Sequence, residues 1–574
     1  MSEFLNDGQA RYDSARRLFL TATLAIGALF VYQSFVTPPP APDADVAEGS
    51  GEGSGEIADA DAEGSADAPT EGSGETVAEP VEVDEIEALR DVLLRTESMH
   101  VRLSNDGARL EHVEIIAPER YQPHEDLAGV FPVEDDEYLP LVVRIGGLPD
   151  LTATSRFAID ASVGEVVEAL DDSDVRDEVA YRWQAPDGLI EVVKRFAPSE
   201  LPYGTRMEVT VINRSDRERR FDDFVLDVAG SYDPDASGGM FGVGSSQLGA
   251  VCAGEFGTER KPAPKVKDDG RHAFVGAVRF AGVAESYFMT AAIPDADVET
   301  IGCRFDVIDD QHIVTHLDAD GFVVPAGGEA TFGFTVFTGP KDERFLREYG
   351  DAELTDAVDF GWFSFLAVPI RILLLFYQGL VFNWGLAIIL LTVTIKVFLF
   401  PITHKSFKNM EKMREIQPQL QAIQKKYEND RMKLAEEQMK LFREAGTSPL
   451  GGCLPMVLQM PIYIALYRTI WGSTELYNAP FALWITDLSQ KDPYFILPIA
   501  MGAIMFIQQR LMPQAVDNPQ MKMMQTIMPV MFTAMMLFLP SGLVLYILVN
   551  MLLSIAQQLW IRRGMKKPET TKKT

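Results

Sequence analysis

Five apolar runs crowd the C-terminal part of the chain: Trp384–Ile402, Leu450–Ile470, Phe495–Met512, Met524–Leu539 and Leu543–Ile561. A bilayer core offers backbone amides no water, so a run that crosses it must close its own hydrogen bonds as a helix. About 17–25 apolar residues suffice. Four of these runs hold only 16 to 19 residues, and spans that short thin the bilayer locally.

A sixth run, Leu18–Val36, follows Arg11, Arg16 and Arg17. It reads as an uncleaved anchor rather than a signal peptide, because the apolar part is long and "TPPPAPDA" is a poor cleavage site. Basic residues ahead of it put residues 1–17 in the cytoplasm. The remaining loops agree. Thr403–Ser448 carries ten Lys or Arg, Arg510 and Lys522 flank "MPQAVDNPQM" in and beside the loop 513–523, and the tail 562–574 holds Arg562, Arg563, Lys566, Lys567, Lys572 and Lys573. All fall on one predicted side, the cytoplasm. Residues 471–494, the Pro540–Gly542 turn and everything between the anchor and Trp384 fall outside.

The net charge of −33 is concentrated rather than spread, since residues 37–88 hold sixteen acidic side chains and no basic one. Within them "EGSGEGSGE" and "AEGSADAP" are low in complexity and cannot bury enough apolar surface to fold. This stretch is a tether, with calcium binding a weak alternative. From 89 to 345 the pattern becomes short alternating runs, such as "RMEVTVINRS", "HAFVGAVRF" and "EATFGFTVFTG", with an Asn105-Asp106-Gly107 turn inside "MHVRLSNDGARLEHVEI". Alternation with turn residues between runs predicts antiparallel β-structure and a large sandwich.

Three cysteines offer no zinc spacing, and Cys453 lies in an apolar run. Cys252 and Cys303 either pair in an extracytoplasmic domain or stay as buried thiols. His312 and His316 suggest a metal, but along a strand they stand roughly 13 Å apart. They read as ordinary sheet histidines, and no metal or cofactor is expected.

Gly361–Val381 is apolar but holds Pro369 and Arg371, and the next run begins only a few residues later. It reads as an amphipathic helix in the outer interface, anchored by Trp362, Phe363 and Tyr377. Residues 403–448 keep helical spacing of apolar side chains (Phe407, Met410, Met413, Ile416, Leu420; then Met432, Ala435, Met439, Phe442) and predict a cytoplasmic helical hairpin broken near Asn429-Asp430. The spacing fits a solvated hairpin and a partner-handling one equally.

Polar residues inside the spans carry the functional signal. Lys396 lies roughly 9 Å from the cytoplasmic end of its run at 1.5 Å per residue, close enough to snorkel. Thr392 shares its face, however. Gln459, Tyr463 and Tyr467 form a second stripe, and Asn550, Ser554 and Gln557 a third. Three polar faces either interlock by hydrogen bonds or line one wet cavity. With no acidic residue in the spans, the lysine favours water. Ten methionines between Met501 and Met536 suit adaptable apolar contacts or ordinary lipid-facing packing. No phosphate-binding loop or nucleophile triad appears.

"SPLGGCLPMVLQMPIYIALYRTIWGSTEL", "APFALWITDLSQKDPYFILPIAMG" and "FLPSGLVLYILVNMLLSIAQQ" resemble the YidC/Oxa/Alb family of membrane-protein insertases over residues 337–567. The anchor and β-domain resemble its Gram-negative form. The resemblance implies a multi-domain α+β membrane protein: six transmembrane helices, five of them an insertase core with a hydrophilic groove, plus a periplasmic all-β supersandwich. It implies insertion of nascent inner-membrane proteins, alone or with the Sec translocon. The basic tail and hairpin would meet the ribosome and membrane lipids.

In the family the groove's central charge is usually arginine, and the matching position here is Lys396. Thr392, Gln459 and Asn550 fall at groove positions, and Tyr463, Met501 and Tyr546 match positions that line the substrate path. Lysine is a departure, since arginine alone stays charged in any surroundings. The acidic tether is another. The rival functions are a solute or proton-coupled transporter, which would show internal repeats, and a carbohydrate-active β-domain, which would need His and carboxylates converging in a cleft.

Overall fold

The structure, a computed structural model, describes residues 91–122, 140–160, 162–169, 173–232, 248–308, 310–358, 363–427, 430–447, 450–511 and 519–565. The anchor, the acidic tether, Trp362 and the tail lysines lie outside the described residues.

The β-domain is built from strands between Asp91 and Pro340. A nine-stranded sheet and a five-stranded sheet form its main layers, with a second five-stranded sheet that contains the paired Met99–Ser104 and Arg109–Ile115 strands. Gly204–Asn213 shows how the sequence sets a face. Met207, Val209 and Val211 are fully buried, whereas Arg206, Glu208 and Thr210 point away, as a period of two requires. The two main layers meet where Phe224 stacks on Phe332 and Phe334, at 4.2 and 5.8 Å between ring centroids. The turn at Gly107 takes a φ of 69°, and a Cβ there would lie 2.3 Å from the carbonyl oxygen of Ala153; only glycine fits.

Cys252 and Cys303 are joined as a disulfide across 51 residues, which decides between the two readings of the cysteines. Cys252 belongs to the nine-stranded sheet and Cys303 to the five-stranded one, so the bond fastens layer to layer. His316 lies opposite Asp227 on the neighbouring strand and its Nδ1 is 2.6 Å from the carboxylate.

Among the described residues seven longer helices follow: α1 Ser364–Val381, α2 Trp384–Lys426, α3 Arg431–Glu444, α4 Leu450–Gly472, α5 Ile496–Leu511, α6 Pro519–Met536 and α7 Ser541–Met565. α7 packs on α2 and α5, α5 on α6, and α2 on α4, while α1 lies against α2 and α4. The packing order is therefore α4, α2, α7, α5, α6, with α4 and α6 at its two ends.

Three boundaries differ from the sequence expectation, the simplest being α7, which runs from Ser541 to Met565 rather than 543–561 and so takes in Arg562 and Arg563 of the tail. The span at 384–402 and the first hairpin arm are one helix of 43 residues, running through Pro401 and Pro418. No glycine lies between Gly385 and Gly446, and the apolar spacing stays helical on both sides of each proline, so the helix tolerates the lost hydrogen bonds. It ends at Tyr427, and Asp430 caps α3 by accepting from the Lys433 amide at 3.1 Å. α6 begins at Pro519 rather than Met524, a proline start that leaves no useful amide unbonded.

Among the described residues, α1, α2 and residues 541–564 are long and apolar enough to cross a bilayer, while Ile496–Arg510 and Ile527–Met536 are shorter apolar helices. By length and composition alone α1 could span, whereas the sequence reading expects it in the interface.

Candidate functional site

α2 and α7 bring two of the polar stripes face to face. Lys396 is buried, 9% exposed, and its Nζ donates to Asn550 Oδ1 at 3.1 Å and to Ser554 Oγ at 2.5 Å. Asn550 in turn donates through Nδ2 to the Tyr463 hydroxyl at 2.8 Å, which ties α4 into the same cluster. One turn toward the hairpin, Gln557 Nε2 donates to Thr403 Oγ1 at 3.0 Å. Gln459 Nε2 donates to the Tyr546 hydroxyl at 3.1 Å, and the Tyr463 and Tyr546 rings meet edge to face at 5.8 Å.

The electrostatics are one-sided. Both partners of the ammonium are neutral, and among the described residues no carboxylate pairs with it. An ammonium has three protons to donate, so one remains for something outside the cluster. A cation at this depth in an apolar bundle is costly to keep without water or an anionic visitor. Among the described residues no three of His, Cys, Asp and Glu stand together as a metal site requires.

The sequence-predicted residues are thus brought together, with distinctions. Thr392 is buried beside the cluster but turns its hydroxyl back to the Ile388 carbonyl at 2.6 Å, so its bonding capacity goes to its own helix. Tyr546 and Met501 are fully buried, whereas Tyr463 is partly exposed. Of the three residues matched to a substrate path, Tyr463 presents surface as the bundle stands.

Sequence reasoning missed Thr403. Its place seven residues after Lys396 puts it on the same helical face, a signal that was there to be read. It also missed the junction with the β-domain. Arg371 on α1 bonds Glu343 Oε1 at 2.5 Å and pairs with Glu475 just after α4. Tyr477 enters the β-domain core, 5.1 Å from the Tyr287 ring and 5.2 Å from Phe288. Nothing in local spacing links residues so far apart in the chain.

An apolar helical bundle organised round a hydrogen-bonded cation, fastened to a large β-sandwich, defines an integral membrane protein with an extramembrane domain. Residues 375–569 match the family model described as 60Kd inner membrane protein, and residues 91–373 match the YidC periplasmic domain. The chain belongs to this YidC family of inner-membrane proteins, and its β-domain is the family's periplasmic domain.

Relatives named Membrane protein insertase YidC include one from Anaeromyxobacter sp. (strain Fw109-5), 45% identical over 55% of this chain and 56% of its own length. Others come from Geotalea daltonii, 42% identical over 52% of this chain and 57% of its own, and Haemophilus influenzae, 43% identical over 50% and 53%. The chain spans about half the length of the curated relatives it matches. Among solved structures it is similar to an active YidC insertase crystal structure with the first transmembrane domain resolved, at 18% identity and a TM-score of 0.34, covering 82% of this chain and 94% of that one. It is also similar to a putative aldose 1-epimerase from Escherichia coli K12, at 8% identity and a TM-score of 0.29, covering 44% and 100%. Neither structural likeness carries weight at those scores.

Proposed function

We propose that this chain is a membrane-protein insertase and folding assistant that performs no covalent chemistry. A nascent apolar segment docks between α4 and α6, the two ends of the helix series, while its short polar flank enters the groove beside Lys396. The groove lowers the cost of carrying polar groups part-way through lipid, and hydrophobic partitioning then draws the segment sideways into the bilayer. The observation that carries this reading is the buried ammonium of Lys396, bonded among the described residues only to the neutral Asn550 and Ser554. Gln459, Thr392, Gln557 and Tyr463 line the same groove, and Met501 and Tyr546 meet substrate once the bundle opens.

The topology is six spans with both termini cytoplasmic. α1 lies in the outer interface rather than crossing, a placement supported by Arg371, which is held near its middle by Glu343 of the β-domain. α3 and the basic tail receive chains from the ribosome; Met432 and Met439 stand exposed on α3 for that purpose. The Sec translocon is the partner for larger clients.

Depletion of a host insertase, with rescue by the wild type and by Lys396→Arg, Lys396→Ala and Lys396→Glu, tests the mechanism. Arginine should rescue, alanine should rescue partly, and glutamate should fail for clients with acidic flanks. Full rescue by Lys396→Glu for every client would sink the electrostatic role. Failure of the wild type in its own host would sink the function.

A further inference from the structure

Lys396 is reachable from a second side. On the outside of the bundle, α2 and α7 flank an apolar notch of about 350 Å³ lined by Val393, Val397, Phe400, Leu553, Ala556 and Trp560. Val397 and Trp560 are 67% and 61% exposed, so the notch opens outward, to lipid in a membrane. Its buried members are Lys396 and Gln557, which also belong to the polar cluster. The lysine therefore sits at the seam between groove and notch.

The cytoplasmic rim of the notch has a different character. Phe400, His404 and Trp560 close into an aromatic group with centroids 5.6 to 6.2 Å apart. His404 Nδ1 is buried there without a hydrogen-bond partner. Lys408 continues the Phe400 and His404 face one turn on, and Arg563 follows Trp560 by three residues on α7. Lys405, Lys408, Arg562 and Arg563 are ion-paired to no described carboxylate. An apolar slot between two helices, an aromatic belt at its mouth and unpaired cations just beyond make a graded site. A ligand complementary to it has an acyl chain, an ester region and an anionic phosphate, in that order.

We propose that the α2/α7 notch holds one anionic glycerophospholipid of the inner leaflet. An acyl chain fills the slot between Val397 and Ala556, and the phosphate is held by Lys408, Arg563 and His404. Charge complementarity selects this occupant over the alternatives, because a second copy of the chain or a nascent apolar segment would leave those cations unanswered. The proposal rests on α2 and α7 being embedded in the membrane, and not on insertase activity.

The test uses the full chain, purified in mild detergent and exchanged into an equimolar mixture of phosphatidylglycerol and phosphatidylcholine, with bound lipid read by native mass spectrometry. The expected result is one retained phosphatidylglycerol, favoured over phosphatidylcholine by about tenfold, which is about 1.4 kcal/mol. Ala556→Trp should abolish retention; Ala556 is exposed, so the substitution fills the notch and spares the core. Lys408→Glu with Arg563→Glu should erase the preference for phosphatidylglycerol. A photoreactive residue at Val397 should gain the mass of one phospholipid in cells. Equal retention of both lipids by wild type and all variants would mean annular lipid only and overturn the site. A crosslink from Val397 to a nascent chain or to a second copy would overturn the occupant.

Discussion

Asn550 serves two partners with one amide, accepting from Lys396 and donating to Tyr463. Replacing it with aspartate keeps the shape and sets a carboxylate against the ammonium. Asn550→Asp should therefore leave thermal stability unchanged or raised, yet cut rescue of an insertase-depleted host to the level of Lys396→Ala, since the groove no longer has a free charge. Asn550→Leu should instead destabilise the bundle by about 1–3 kcal/mol, the cost of leaving buried donors unmet. Normal rescue by Asn550→Asp would show that the charge has no role. In the β-domain, burial raises the ionisation of Tyr121, Tyr181, Tyr203, Tyr287 and Tyr349 above the ordinary phenol range. Below about pH 10 these groups are protonated in both folded and unfolded chains, and their contribution to stability is intact. Above it the unfolded chain loses phenolic protons that the folded domain keeps, so stability falls as pH rises. Burial, chiefly, holds Lys194 well below the ordinary lysine range, so its contribution grows as pH rises toward the unfolded lysine value of about 10.4 and changes little beyond it. The melting temperature should rise as pH approaches about 10, because only the unfolded chain still protonates Lys194 there, and then drop as the unfolded chain loses phenolic protons, with the phenolate absorbance rising together with unfolding; phenolate forming in the still-folded domain would refute the account.

At the scale of elements, helix contacts depend on a few small residues. Gly502 of α5 lies against α6, where an added Cβ would come within 2.3 Å of Thr533 Oγ1. Gly502→Ile should push α6 away and loosen the end of the series where substrate is proposed to dock, seen as faster proteolysis of the 512–518 segment. Unchanged proteolysis would mean that α5 and α6 are held elsewhere. This close approach was not legible in the sequence, because a glycine in an apolar run does not say which helix faces it. The polar faces were legible, because Thr392 and Lys396 on one run and Asn550, Ser554 and Gln557 on another keep helical spacing and a buried polar group must find partners, but spacing alone left open whether the faces bond to each other. The strands were legible from alternation, as in Gly204–Asn213. The continuity of α2 was not, because Pro401 and Pro418 are strong local signals that helical apolar spacing on both flanks outweighs.

The whole molecule is held together at a junction that neither half announces. Arg371 pairs with Glu343 from the β-domain and Glu475 from the loop after α4, and the arginine and Glu475 side chains are only 11% and 9% exposed. Asp342, beside Glu343, caps the short helix 343–346 through the Arg344 amide and accepts from the Tyr121 hydroxyl at 2.5 Å. Burial would raise the Asp342 carboxyl, but its bonds to Arg344 and Tyr121 prevail and hold it below the ordinary range. Tyr477 adds an apolar peg, with its hydroxyl donating to the Gln122 carbonyl at 3.1 Å. The β-domain therefore grips the outer end of α4, the helix that carries Tyr463 and Gln459, and α1 is clamped between them. Removing Arg371 strands two carboxylates, one of them deeply buried, and breaking such a pair costs about 3–5 kcal/mol. Arg371→Ala should lower the thermal stability of the full chain by that order and free the β-domain to move against the bundle. A disulfide trap with one cysteine in the 343–346 helix and one in the 473–478 loop should then form more slowly than in wild type. Arg371→Ala combined with Glu343→Gln and Glu475→Gln should recover much of the loss, because the stranded charges are gone while the peg at Tyr477 remains. If the triple variant is no more stable than Arg371→Ala, the clamp works through packing of the arginine stem rather than through its charge.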